Sequence, residues 1–305
     1  MASASKKLAH KSAVKGARKL MLQHLEEAVA AVERLPDSED TEALHDLRVA
    51  LRHLRTYLTT YSKLFSEAVP ARSLEALKEL TRLTNPARDA EVQAGWIAEH
   101  SPSRQSSSSP AARLHSRLTE HHAELLRVIR ERFTRDFPRL ARRLRRQLHR
   151  AEDEDARTFG KYSSKQVLRR GRRLRERLDR IEGMADIEGC HKARIAAKRV
   201  RYLLEPFDSL ESAEELIDQL KELQDTLGEL HDLHVLMETM SSATENTQAP
   251  KGRRQRSELA SLASTARQRM TRIYAQVEKR WLNDTKASLD EALARAASKI
   301  RKAGR

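Results

Sequence analysis

Apolar residues recur along this chain at intervals of three and four, the spacing of one face of an α-helix. Leu47, Leu51, Leu54 and Leu58 show it best, falling within about 60° of one another on a helical wheel. The pattern predicts helices over 6–35, 41–65, 73–97, 111–150, 163–183, 189–208, 213–240 and 253–299. Alternating Val/Ile runs of the kind that build strands are missing. Turn chemistry separates the segments. Pro36 ends the first, and Ser38 or Asp40 is the N-cap of the second. Asn85-Pro86 predicts a bend within the third, Pro138 a break in the fourth, and Pro206 a kink or stop in the sixth. SPSRQSSSSP (101–110) and SSATENTQAPKG (241–252) read as linkers, and the acidic run AEDED (151–155) as a divider.

The order of these elements is played twice. LHDLRVALRHLRTYLT (44–59) and CHKARIAAKRVRYLLE (190–205) both contain His-x-x-Arg-x-x-x-(Arg/Lys)-x-x-Arg, and the second copy begins 146 residues after the first. KELTRLTNPARDAEV (78–92) aligns without gaps on KELQDTLGELHDLHV (221–235), and the Ser-rich linkers take equivalent places. We therefore expect an all-α fold of two four-helix bundles, related by internal duplication and pseudo-two-fold symmetry. The whole of 1–305 would be one domain, made of repeats over 6–150 and 156–300.

The repeated basic helices carry the candidate chemistry. His45, Arg48, Arg52 and Arg55 fall within about 80° of the wheel, and His191, Arg194, Lys198 and Arg201 do the same. A solvated face would mix acids with bases at i,i+4. Here the first stretch holds only Asp46, and the second holds no acid before Glu205. Apolar residues border the stripe on both sides, with Val49, Ile195 and Tyr202 opposite the core face. This is the pattern of a recessed polar lining. The third helix of each half adds Lys78 and Arg88 in one copy, and Lys221 and His231 in the other. Asp89 and Asp232 lie beside them as carboxylates able to orient a cation. Arg presents paired donors that match phosphate oxygens, and repeated cations along an axis suit an extended polyanion.

Charge supports this reading. Lys+Arg 59 against Asp+Glu 44 gives a net +15, the balance of a polyanion binder. Aromatics are 4%, too few for the stacking platforms of single-strand binders. One cysteine, Cys190, rules out an internal disulfide or a Cys-based metal site. No apolar run is long enough to span a membrane, so none is expected as a partner. The basic, acid-free N-terminus has the composition of a transit peptide but reads as the start of the first helix. No Gly-rich phosphate loop occurs, and the two histidines of His231-Asp232-x-His234 have Arg88 and Glu91 as their first-half equivalents. No metal, cofactor or catalytic residue is expected.

These basic helices and the LKELQDTLGELHDLHVL segment (220–236) resemble the CHAD domain family, the conserved histidine α-helical domain. The resemblance spans nearly the whole chain. It implies two four-helix bundles around a central basic cavity, inorganic polyphosphate as the partner, and attachment to polyphosphate granules in the cytoplasm. Carried over by position, it places the family's His and basic residues on His45, Arg48, Arg52, Arg55, His191, Arg194, Lys198 and Arg201, with Arg199 as a helper. Arg88 and Asp89 match the third helix's Arg-Asp pair, which His231 and Asp232 replace in the second copy. Asn85-Pro86 interrupts the stretch that in the second copy holds Leu227-Gly228, so Arg88 is expected to be displaced. The family often follows a triphosphatase domain, and this chain is expected to be a stand-alone, non-catalytic binding module. Two other readings stay open: a basic, histone-like nucleic-acid-binding protein, and an enzyme acting on polyphosphate or nucleotides.

Overall fold

The structure, a computed structural model, describes residues 2–101, 109–245, 252–283 and 286–305. It is helical throughout: α1 (Ala2–Ala9), α2 (Ala13–Arg34), α3 (Ala43–Thr60), α4 (Ala71–Leu83), α5 (Asn85–His100), α6 (Pro110–Arg150), α7 (Phe159–Leu178), α8 (Ile187–Leu204), α9 (Glu211–Glu245), α10 (Gly252–Val277) and α11 (Lys286–Ala303). Helices α2 to α6 pack on one another, as do α7 to α11. Across the seam, α2 meets α7, α3 meets α8, α5 meets α9 and α6 meets α10, so elements of the same rank touch.

The seam is drawn tightest where α2 and α7 begin. Ser12 Oγ accepts from Lys15 N–H at 3.3 Å and caps α2, while Thr158 Oγ1 accepts from Lys161 N–H at 3.4 Å and caps α7. The two caps lie side by side in an isolated antiparallel bridge. Ala13 N–H donates to Arg157 O at 2.9 Å and Phe159 N–H to Lys11 O at 2.7 Å. Gly16 lets the Phe159 ring reach α2, since a Cβ there would sit 2.4 Å from it. Gly160 has the same role against backbone: a Cβ would lie 2.7 Å from the carbonyl oxygen of Ile300. Leu47, Leu51, Leu54 and Leu58 are buried in the core, as the wheel predicts.

Several boundaries differ from the sequence reading, each for a local reason. The first helix is split at 10–12 because Ser12 caps a new one. Asp40 closes the next turn, its Oδ1 accepting from Glu42 and Ala43 N–H at 3.1 and 3.0 Å. The last segment is divided by a π-helical turn at Glu278–Asn283. The second linker begins later than expected, since α9 runs on to Glu245; residues 102–108 and 246–251 of the linkers lie outside the described residues. Pro138 does not break α6, which runs unbroken for 41 residues. Thr134, whose carbonyl loses its donor, is exposed like Pro138, so that side of the helix is open to solvent. Phe133 and Phe137 are buried beside it and keep the helix seated.

Two substitutions test this packing. Pro138→Ala restores an i→i−4 bond and should stabilise the protein by up to about 3 kcal/mol, read from urea unfolding; an unchanged or lower midpoint would contradict the account. Gly160→Ala should cost about 1–3 kcal/mol, because the atom it meets belongs to backbone and cannot rotate away.

Candidate functional site

Helices α3 and α8 cross at a set of rings. Tyr57 Oη donates to Tyr202 O at 2.7 Å. The His53 and Tyr202 rings lie 4.0 Å apart, and His53 Nε2 is 2.7 Å from Glu205 Oε2. The same two helices line a cavity of about 610 Å³. Its walls carry His45, Arg48 and Arg52 from α3, Arg88 and Asp89 from α5, His191, Arg194 and Lys198 from α8, and His231 and Asp232 from α9. Side chains predicted from two repeats 146 residues apart thus share one chamber. Ile195, predicted as an apolar border of the stripe, lines it too.

The two halves hold their leading arginines differently. Arg48 Nη1 donates to the carbonyl of Thr84, in the break between α4 and α5, and to Thr84 Oγ1 at 2.5 Å. A helix broken before Pro86 has spare carbonyls, and Arg48 takes one. Arg194 instead lies flat against Gly228, where a Cβ would be 3.4 Å from its guanidinium carbon, and its Nη1 is 4.0 Å from Asp232 Oδ1. Asn85 and Gly228 are aligned positions, so in each half the third helix is modified where the arginine meets it. The expected displacement of Arg88 does not occur; past the bend, both Arg88 and Asp89 line the cavity.

The lining holds five arginines and one lysine against five carboxylates, Asp40, Glu42, Asp89, Glu91 and Asp232, with four histidines besides, so its formal excess is one positive charge. Burial, then Arg52 and Arg88, push the Arg48 guanidinium down to about 10. Burial, then Arg194 and Arg52, push the Lys198 ammonium down to about 7. Arg194 is lowered by burial against the opposing pull of Asp232. His191 is lowered by burial and then by His231, whose ring is 4.7 Å away; His231 is lowered by burial and then by Arg194. Asp89 is raised by burial and by Asp232. Arg52 Nε, Arg194 Nε, His191 Nδ1 and His231 Nδ1 are buried without a hydrogen-bond partner. Among the described residues no group of three or more His, Cys, Asp or Glu converges to hold a metal ion, and no helix is long and apolar enough to cross a membrane.

Five predicted residues do not line the cavity. Arg55 lies beyond the crossing, where burial, then Arg199 and Arg82, lower it. Arg201 sits at the crossing, its guanidinium 5.1 Å from the Tyr202 ring and its Nε 3.4 Å from Glu205. Arg199 faces a groove between α8 and α7. Lys78 pairs with Glu75 at 2.8 Å. Lys221 is exposed beside Asp218, Glu222, Asp225 and Glu229. A wheel gives the angle of a side chain but not how far along the axis the partner helix leaves space, and the crossing ends that space at Arg52 and Lys198. Sequence reasoning missed His122 and Arg130 of α6, which also line the cavity. His122 Nδ1 lies 2.8 Å from Ala87 O. Their spacing of eight, with Leu126 between, was the available signal, hidden in a helix dense with charge.

Comparison with known proteins agrees with this architecture. A search of curated proteins found no match. The crystal structure of the CHAD domain from the plant Ricinus communis is similar, with a TM-score of 0.69 at 19% identity, covering 93% of this chain and 92% of that one. PptA from Streptomyces chartreusis is similar with a TM-score of 0.68 at 14% identity, covering 89% of this chain and 99% of that one. The family model for the CHAD domain matches residues 19–241, which include both basic helices and the third helix of each half, and the chain therefore belongs to the CHAD domain family.

Proposed function

We propose that this protein binds inorganic polyphosphate in the α3/α8 cavity without acting on it, and that it thereby targets or organises cytoplasmic polyphosphate granules. The observation that carries the reading is the set of buried guanidinium and imidazole nitrogens that no protein group satisfies. A buried polar nitrogen left unsatisfied costs about 1–3 kcal/mol, and an anionic ligand with many oxygens removes that cost. From His45 to Arg52 the cations extend about 10 Å along α3, more than one phosphate covers. Guanidinium forks on facing helices suit successive phosphates of one chain. A duplex, whose major groove alone is about 12 Å wide, does not enter a chamber of about 610 Å³. Asp89 and Asp232 keep neighbouring guanidiniums in place, as charged groups behind a ligand shell do.

The deciding experiment is a competition titration. Labelled long-chain polyphosphate, bound at about 0.15 M salt and above, is challenged with duplex DNA, single-stranded RNA and short phosphates. Polyphosphate should compete best as salt rises. Equal competition by DNA per phosphate would transfer the reading to a histone-like protein held by the +15 charge. Sustained phosphate release with Mg²⁺ or Mn²⁺ would overturn the non-catalytic part.

Arg52→Ala with Lys198→Ala should weaken polyphosphate binding by about 100-fold or more, two charge-assisted contacts of about 1.5–3 kcal/mol each, with the circular dichroism spectrum unchanged. Arg48→Ala should also lower stability, because its guanidinium satisfies the Thr84 carbonyl.

The pH dependence has a definite sign. Lys198 is pushed down to about 7, so in the free protein it loses its proton through neutrality. The unfolded chain keeps that proton to higher pH, so this residue adds stability to the free protein as pH rises above about 7. Polyphosphate favours the charged form and reverses the preference. Affinity should therefore fall between about pH 6 and 9, with proton uptake on binding near pH 8, measured by calorimetry in buffers of different ionisation enthalpy. Lys198→Arg should flatten the profile.

A further inference from the structure

The buried cation Arg170 of α7 takes no part in the cavity. It is 4% exposed, and its Nε has no hydrogen-bond partner. It opens instead into a groove of about 440 Å³ between α7 and α8, whose other charged walls are Arg173, Arg177, Lys192, Arg199 and a single acid, Glu176. Lys192 is already paired with Glu188 at 2.7 Å. Burial, then Arg199, Arg169 and Arg173, push Arg170 down to about 10, so its neighbours are also cationic. A surface built only for solubility would interleave acids and leave no guanidinium inside. Four arginines of two helices facing one acid fit a ligand that brings its own negative charge.

The groove and the cavity are neighbours. Ile195 lines both, so their rims meet at this residue on opposite flanks of α8. Helix α8 thus shows cations on two faces: Arg194 and Lys198 towards the cavity, Arg199 and Lys192 towards the groove. Arg55 extends the groove's field towards α3, since Arg199 is the largest charge acting on it.

We infer that the α7/α8 groove, built on Arg170, Arg173, Arg177 and Arg199, is a second binding site for a run of condensed phosphate. This rests on the polyphosphate reading of the cavity. The occupant is either a later stretch of the chain that fills the cavity or a separate chain. In the first case the two sites act as linked contacts on one ligand, and affinity rises with chain length beyond what either site gives alone. In the second case one protein bridges two chains.

The experiment is a calorimetric titration of the full chain with tripolyphosphate, followed by one with long-chain polyphosphate. The variants are Arg173→Ala with Arg199→Ala, both exposed in the groove, and Arg52→Ala with Lys198→Ala in the cavity. Arg139→Ala with Arg142→Ala is the charge-matched control, two exposed arginines of α6 that line neither site. Tripolyphosphate should bind the native protein at two sites, and each of the first two variants should lose one. The groove variant should also weaken long-chain binding by about tenfold or more if one chain spans both sites, while the control changes little. If long-chain affinity holds but the groove variant abolishes light scattering from cross-linked chains, two chains are bridged. A single tripolyphosphate site untouched by the groove variant would overturn the inference. Loss of binding in the groove variant alone, with the cavity variant unaffected, would instead overturn the cavity reading and leave the groove standing.

Discussion

The molecule is organised around an unfavourable juxtaposition: two helices must hold their positive stripes towards one space. Coulombic repulsion between facing guanidiniums would drive them apart, and the carboxylates of the lining offset it only in part. The opposing force comes from just outside the cavity. Tyr57 and Tyr202 share a hydrogen bond at 2.7 Å, His53 is buried between Tyr202 and His24, and Glu205 binds His53 on one side and faces Arg201 on the other. Beneath them α3 buries four leucines, while α8 seats on the small Ala193 and Ala197, which let its backbone come close. Apolar burial, at about 25 cal/mol per Å², fixes the helices, and the cations follow.

This division explains what the sequence shows and what it hides. Helix type, the repeated order and the inward direction of the basic stripe follow from local periodicity, because core leucines and cations sit at fixed angles on one wheel. The extent of the site does not. Arg55 and Arg48 occupy almost the same angle, yet one is outside the chamber and the other inside, because the crossing at His53 and Tyr202 lies between them. Lys78 and Lys221 align across the repeats, but Lys78 is paired with Glu75 and Lys221 is exposed in an acid-rich surface groove, both away from the cavity. His122 and Arg130 enter from a helix whose sequence shows only abundant charge, and only the packing of α6 on α5 brings them to the cavity. Pro138 shows the limit of a local rule, since its cost depends on whether the abandoned carbonyl meets water or protein.

The repeats differ most where each leading arginine meets its third helix. In the first half a broken helix offers a carbonyl, and Arg48 is held by hydrogen bonds of the protein's own. In the second half Gly228 offers only room, and Arg194 lies on it with its nearest carboxylate 4.0 Å away. The two guanidiniums therefore have different work left to do. Arg48 is oriented before any ligand arrives, so it loses little conformational freedom on binding. Arg194 retains an unsatisfied buried Nε and gains more from an anion. One half gives the cavity a fixed wall, the other a wall that is completed by what it binds.

The same logic connects the cavity to the groove behind α8. A buried guanidinium is tolerated when hydrogen bonds satisfy it, and stays costly when they do not. Arg48 belongs to the first kind; Arg52, Arg194 and Arg170 each keep a buried Nε without a partner. Stability alone would favour replacing such groups with apolar residues of similar size. Their placement on both flanks of one helix, meeting at Ile195, makes sense if α8 is a cationic ridge against which an extended anion is laid. The free energy withheld from folding at these positions is then available to binding, and the pH at which Lys198 changes charge, about 7, sets how much of it is released near neutrality.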